Sequence, residues 1–323
     1  MIKRTLCFGN PALLNLKNGQ LVVRKLSNGE LNVEPGQKVQ VATIPIEDVG
    51  IVLLDHPQIT LSHGLIAALL ENNVAVITCN AKHMPVGLVF PLEGNTLQSE
   101  RFALQIGASL PLKKQLWQQT VAQKIRNQAA VLKSVRNAEV GNMLVWASSV
   151  KSGDSDNLEG RAAAYYWKQM FAEWDRLTRD RDGDWPNPLL NYGYAILRAM
   201  VARALVSSGL LPTLGIHHHS RYNAYCLADD IMEPYRPYVD TKVMSMLSRW
   251  GQADEINSEM KRELLSIPVL EVIINGQRSP MMVAVSQTTT SLFKCFSGEI
   301  RKIVYPEIPM PRWIDSVNTE SCG

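Results

Sequence analysis

The dominant hydrophobic periodicity of this 323-residue chain shifts near residue 95, and the shift divides it. Up to about residue 95 the apolar residues recur at short, strand-like intervals; from about residue 98 they recur at helical spacing. Leu14 and Leu16, then Asn18-Gly19, then Leu21 and Val23 predict a hairpin with a type I′ turn, since Asn and Gly tolerate the positive φ that turn demands. Val39, Val41, Ile44 and Ile46 extend the pattern, and GIVLLD reads as a buried strand. One helix interrupts, capped by Thr60 or Ser62 and carrying Leu65, Ile66, Leu69 and Leu70 on one side. NVAVITC and PVGLVFPL close this half, with residues 91–95 as a linker. Helices are expected over 112–136, from Leu158 to about Leu177, from Leu189 to Ser208, and from near Tyr222. EVIINGQRSPMMVAV predicts a second Asn-Gly hairpin followed by a helix, and Pro306, Pro309 and Pro311 predict an extended tail. The expected fold is therefore α+β: an N-terminal β-strand-rich domain, residues 1–95, then a larger, mainly α-helical domain, residues 96–323.

No apolar run approaches the length of a membrane span, and Gly9, Asn10 and Pro11 interrupt any signal-peptide core after Lys3 and Arg4. Five cysteines without a C-x-x-C pair point to a reducing cytoplasm, with neither a disulfide framework nor a zinc cluster. A net charge of +3 does not by itself announce a nucleic-acid binder. Its distribution says more: Lys113, Lys114, Lys124, Arg126, Lys133 and Arg136 follow one another with no acid between them. A helix so charged can track a phosphate backbone, or it can simply present a solvated face.

The richest chemistry lies in LGIHHHSRYNAYCLADDIMEPYRPYVD, residues 214–240. On a helix Asp229, Asp230 and Glu233 share roughly one face, and crowded carboxylates repel unless a cation sits among them. Side chains alternate along extended backbone, so of His217, His218 and His219 only one, the central one, is expected to face inward. Asp230 either binds or braces a site, Asp229 is expected to be exposed, and Arg236 is the obvious ion-pair partner if no metal is involved. Glu159 is the third acid of interest. It opens a helix just before Gly160 and Ala162, Ala163 and Ala164, and either answers the helix dipole or projects into a crevice. Two carboxylates and an imidazole suit Mg²⁺ or Mn²⁺ and phosphodiester chemistry; a zinc hydrolase would more often carry H-E-x-x-H, which is absent.

Taken together and in order, LEGRAAAYYW, NPLLNYGYAIL, GLLPTLGIHHHSRYNAYCLADDIMEPYRPYVD and AVITCNAKHMPVGLVFPLEGN resemble the CRISPR-associated integrase of the spacer-adaptation machinery, closest to its type II branch. The resemblance covers essentially the whole chain. It implies a β domain for dimerisation and partner contact, and a helical catalytic domain with one metal site per subunit. By motif position the implied ligands are Glu159, His218 and Glu233, with Asp230 in support. It further implies Mg²⁺- or Mn²⁺-dependent attack of a fragment's 3′-hydroxyl on a phosphodiester at a repeat border, with DNA nicking when water replaces the hydroxyl. The implied partners are double-stranded DNA, a second copy of the chain, and a small second adaptation protein that completes a heterohexamer, with further type II components possible. Lys113, Lys114, Lys124, Arg126, Lys133 and Arg136 would then contact phosphates. Two readings stand against this one: a non-catalytic DNA-binding scaffold, and a metal-dependent hydrolase of small phosphate esters.

Overall fold

The computed structural model describes residues 3–25, 41–173, 179–180 and 183–310. In the N-terminal part, β1 (Arg4–Phe8), β2 (Ala12–Lys17), β3 (Gln20–Lys25), β4 (Val41–Pro45), β5 (Val49–Leu54), β6 (Ile59–Leu61), α1 (His63–Glu71), β7 (Ala75–Cys79) and β8 (Pro85–Val89) follow in order. They form two four-stranded sheets, β4-β3-β2-β6 and β1-β5-β7-β8. The β2–β3 hairpin turns on Asn18 and Gly19, at φ 50° and 69°, as the dipeptide predicts. Ser62, not Thr60, caps α1 by accepting from the Leu65 N–H, while Thr60 lies within β6. Val39 falls outside the described residues, and Ile46 begins a single 3₁₀ turn rather than extending β4.

GIVLL, the apolar part of this segment before Asp55, shows no alternation because its sheet is covered on both faces. Ile51 and Leu53 of β5, with Ala75 and Ile77, point into the helical core. Val49 and Val52, with Val76, point the other way, against Leu14, Leu21, Leu65 and Leu69. A strand buried on both sides loses the alternation that a half-exposed strand shows.

The helical part comprises α2 (Gln98–Ile106), α3 (Leu110–Arg136), α4 (Gly141–Ser149), α5 (Leu158–Met170), α6 (Asn187–Ser207), α7 (Cys226–Met232), α8 (Arg236–Trp250), α9 (Ser258–Leu264) and α10 (Met281–Phe296). A hairpin of β9 (Glu271–Ile274) and β10 (Gln277–Pro280) precedes α10 and turns on Asn275 and Gly276, again at positive φ. The helix expected to run to Leu177 ends at Met170, and residues 174–177 lie outside the described region. The helix expected from near Tyr222 begins only at Cys226, after a series of turns. Pro306 and Pro309 sit in extended chain whose Glu307 bridges to Ile273, while Pro311 is not described.

Contrary to the reading of the sequence, α6 is long and apolar enough to cross a membrane. Its apolar stretch is 78% buried within the fold, where it is the axis on which α7, α8 and α10 pack. Cys7, Cys79, Cys226 and Cys295 are all free thiols.

Candidate active site

Three segments meet beside the inward face of α3, which itself contributes Lys124. The first is the start of α5. Asp154 accepts the Leu158 and Glu159 N–H groups with its two oxygens, and Asn157, at φ 50°, accepts the Gly160 N–H. The free N–H groups of the helix terminus are thus satisfied before Glu159 is called upon, so its carboxylate is free to point elsewhere. Gly160 serves this cap. A Cβ there would sit 2.7 Å from Asn157 Oδ1, whereas the helix-to-helix approach falls to the fully buried Ala162.

The second segment is the histidine loop, pinned by one residue. Asp230, completely buried on α7, accepts the backbone N–H groups of Ile216 at 2.7 Å, His217 at 3.0 Å and His218 at 3.2 Å. Its Oδ1 also lies 2.5 Å from His218 Nδ1. A carboxylate can only accept, so Nδ1 carries the hydrogen and the lone pair is left on Nε2. That hydrogen bond raises the His218 pKa above the ordinary histidine value, against the opposing effect of burial. Nε2 has no hydrogen-bond partner among the described residues. His217 is not free either: its ring stacks on the buried Trp117 of α3 at 4.1 Å and 2° between planes, and burial lowers its pKa. Gly215 lets the loop close, since a Cβ there would meet Asp230 Oδ2 at 2.7 Å as well as the His218 carbonyl oxygen.

The third segment is the 3₁₀ turn Glu233–Tyr235 that joins α7 to α8. Asn127 of α3 holds it by donating to the Pro234 carbonyl at 2.8 Å. Glu233 Oε1 accepts from Arg236 Nε at 2.9 Å. Burial would raise the Glu233 pKa, but Arg236 and Lys124 overcome it and hold the carboxyl down at about 2. Arg236 in turn lies over the Tyr194 ring at 4.6 Å, and Tyr194 and Tyr166 both donate to the buried Asp240.

The fourth contributor is Lys124, and here the sequence reading needs correcting. Lys124 does not face solvent or phosphate: it is 8% exposed, with Nζ 2.7 Å from Glu159 Oε1 and 2.5 Å from Glu233 Oε2. Burial works to lower its pKa, but the carboxylates of Glu233 and Glu159 more than offset this and raise it. The contact with Glu233 is a close ion pair in which the Lys124 ammonium is the partner of the buried Oε2.

The three acids of α7 and its extension therefore go to three different partners. Asp229 is not exposed, as expected from the sequence, but buried in a two-pronged pair with Arg198 at 2.6 and 3.1 Å, with Asn223 donating at 2.7 Å. Arg236 does pair with an acid, yet it engages only one oxygen of Glu233. Among the described residues no three His, Cys, Asp or Glu side chains already converge at ligand distance, because Lys124 stands between two of them.

The remaining bases of α3 do not form one stripe. Lys113 lines an open cleft of about 740 Å³ together with His218, His219, Arg221 and Tyr222. Arg126 lines a second cleft, on the α4 side, with Arg301 and Lys302. Lys114 is exposed against Gly153, Lys133 is half-buried, and Arg136 donates to the Met170 carbonyl and to Glu173. Trp117, Asn127, Arg198 and the position of Lys124 escaped the sequence reading. Lys124 was findable, since it continues the buried stripe of Trp117, Val121 and Gln128, where an unpaired lysine would be anomalous.

Residues 7–267 match a family profile described as CRISPR associated protein Cas1. The CRISPR-associated endonuclease Cas1 of Neisseria meningitidis serogroup C is 35% identical over 292 residues, which span 90% of this chain and 91% of that protein. A solved structure described as casposase bound to integration product superposes with a TM-score of 0.78 at 20% identity, covering 98% of this chain and 96% of that one. A Cas6-RT-Cas1–Cas2 complex gives a TM-score of 0.72 at 19% identity, over 95% of this chain and 36% of the matched chain. At such identities the two solved structures speak to the fold.

Proposed function

Since the chain belongs to the CRISPR-associated Cas1 family, we propose that it is a metal-dependent DNA endonuclease and integrase of the type II branch, inserting short DNA fragments at a repeat by transesterification. The observation that carries this reading is the pair Glu159 and Glu233, which converge on one cation position, with His218 held beside them by Asp230. Glu159, His218 and Glu233 would hold Mg²⁺ or Mn²⁺. The donor set fits: two carboxylates supply hard oxygen ligands and one neutral imidazole a borderline nitrogen, and both carboxylates already face one cation, the ammonium of Lys124. When bound, the ion supplies charge to the scissile phosphate and makes the attacking hydroxyl more acidic.

The protein's own residues supply the rest. Asp230 fixes the His218 tautomer and orientation through the hydrogen bond to Nδ1, which leaves Nε2 to face a metal. Arg236 holds one oxygen of Glu233 so that the other keeps its direction. Lys113 and Arg221, on the cleft walled by His218, are placed to meet phosphates without reading bases, whereas Arg126 faces the separate cleft by α4 and Arg136 is engaged by Met170 and Glu173. Residues 1–95 form a domain for dimerisation and for contact with a small Cas2-like partner, and residues 96–323 form the catalytic domain. The Cas1–Cas2 complex of similar fold supports that assembly.

A strand-transfer assay tests the reading. The full chain, with and without its small partner, meets a fragment bearing a 3′-hydroxyl and a supercoiled repeat-containing plasmid, in Mn²⁺ or in EDTA. Joining is expected in Mn²⁺, none in EDTA, and a loss of at least 100-fold in His218→Ala. DNA binding that ignores both metal and His218, with no cutting or joining, would replace this reading with the scaffold. Turnover of aryl phosphates without a DNA end would replace it with the small phosphoesterase.

A further inference from the structure

Burying an ammonium is costly, and a fold that needed only packing at position 124 would carry an apolar residue on this stripe of α3. What Lys124 does there follows from its contacts. Its Nζ touches one oxygen each of Glu159 and Glu233 and no other acid, so the two oxygens lie a single cation's width apart. Resting on the metal-site reading above, we infer that Lys124 is the resident counter-ion of that site, holding its carboxylates together before metal arrives and leaving when metal loads.

Three features support displacement rather than permanent pairing. A Mg²⁺ or Mn²⁺ ion must approach carboxylate oxygens to about 2.0–2.2 Å, and an ammonium at the distances seen here cannot share that gap. Glu233 has a second cation, Arg236, aligned on its other oxygen, so it stays anchored when Lys124 departs. The four-carbon stem of Lys124 lets its head swing away from both acids without moving α3. Lys124 thus raises the metal concentration at which the site fills, and it spares the metal-free protein two facing carboxylates, that of Glu233 buried.

The test is Mn²⁺ affinity without DNA, read as free Mn²⁺ by electron paramagnetic resonance on the full chain. Lys124→Met keeps the stem and removes the charge. It should bind Mn²⁺ at least 10-fold more tightly than wild type, be less stable without metal, and show the larger rise in melting temperature on adding Mn²⁺. Lys124→Arg should return affinity towards wild type. A merely structural lysine predicts the opposite sign, since its loss would loosen the acids; unchanged or weaker Mn²⁺ binding by Lys124→Met overturns the inference. Should Lys124→Met not fold in EDTA, circular dichroism should show it folding as Mn²⁺ is added, and failure to fold at any Mn²⁺ concentration likewise refutes displacement. His218→Ala separates the two claims. If it binds Mn²⁺ as wild type does, the metal site itself is misplaced; if it loses binding while Lys124→Met is unchanged, only the role of Lys124 falls.

Discussion

Asp230→Asn is the most informative single change, because one carboxylate holds four hydrogens. Its two oxygens serve the N–H groups of Ile216, His217 and His218 and the His218 ring. Asparagine keeps the shape but has one acceptor, and its amide NH₂ must face one of the two donor pairs. Turned towards Ile216 and His217, it sets donor against donor. Turned towards His218, it loses the backbone N–H and forces the imidazole to accept through Nδ1, which moves the ring hydrogen to Nε2. Either way about two charge-assisted hydrogen bonds go, at roughly 1.5–3 kcal/mol each, for a total loss of about 3–6 kcal/mol. In the second arrangement the nitrogen meant for metal is capped by its own proton, and Mn²⁺ affinity should fall about 10- to 100-fold even where the fold survives. Urea denaturation measures the first quantity and Mn²⁺ titration the second. Wild-type Mn²⁺ affinity together with a stability loss below about 1 kcal/mol would refute the account of Asp230 as the pin of the histidine loop.

Gly215→Ala would ordinarily be harmless where φ is negative, but here the new methyl meets Asp230 Oδ2 and the His218 carbonyl. Thermal unfolding should register a loss of about 1–3 kcal/mol, and a stabilised variant would show that the loop closes less tightly than described. Asp240 gives the pH dependence: burial pushes its carboxyl up to about 6, despite hydrogen bonds from Tyr194 and Tyr166. The folded state then holds a proton that the unfolded chain, with an ordinary aspartate, releases near pH 4. This contribution is fully present below about pH 4 and is lost as pH rises through about 6, at a cost of roughly 3 kcal/mol. Asp240→Asn removes the slope, so its stability relative to wild type should rise between pH 4.5 and 7.5; a difference independent of pH would show that Asp240 titrates normally.

What could be read from the sequence was local. Asn18-Gly19 and Asn275-Gly276 predict their hairpins because the backbone conformation is set by the residues themselves. The switch of periodicity near residue 95 is legible for the same reason. The parallel pairing of β1 with β5 and of β5 with β7 is not, since it joins segments brought together only by the packed core. The acids of 229–233 show the same limit at the site. Spacing alone put Asp229, Asp230 and Glu233 on one face, yet α7 ends at Met232 and a 3₁₀ turn carries Glu233 away. Arg198, the partner that buries Asp229, comes from α6 and has no signature in the local sequence. Glu159 seemed most simply an answer to the helix dipole, and it is freed from that duty by Asp154 and Asn157.

The basic segment shows why charge must be counted by face. Six bases without an acid look like one electrostatic feature, yet α3 rotates them to separate destinations: a cleft beside His218, the interior, a cleft by α4, and a clasp on Met170 and Glu173. The interior one changes the meaning of the acids it meets. Crowded carboxylates suggested from the sequence that a metal was needed to neutralise them. In the folded chain Arg198, Arg236, Lys124 and the backbone N–H groups of residues 216–218 already do so. Neutralising the acids is therefore no argument for a metal. The argument lies in the arrangement itself: two carboxylates that converge on one cation position, an imidazole nitrogen oriented by its neighbour and unpartnered among the described residues, and between the two acids a cation on a movable stem.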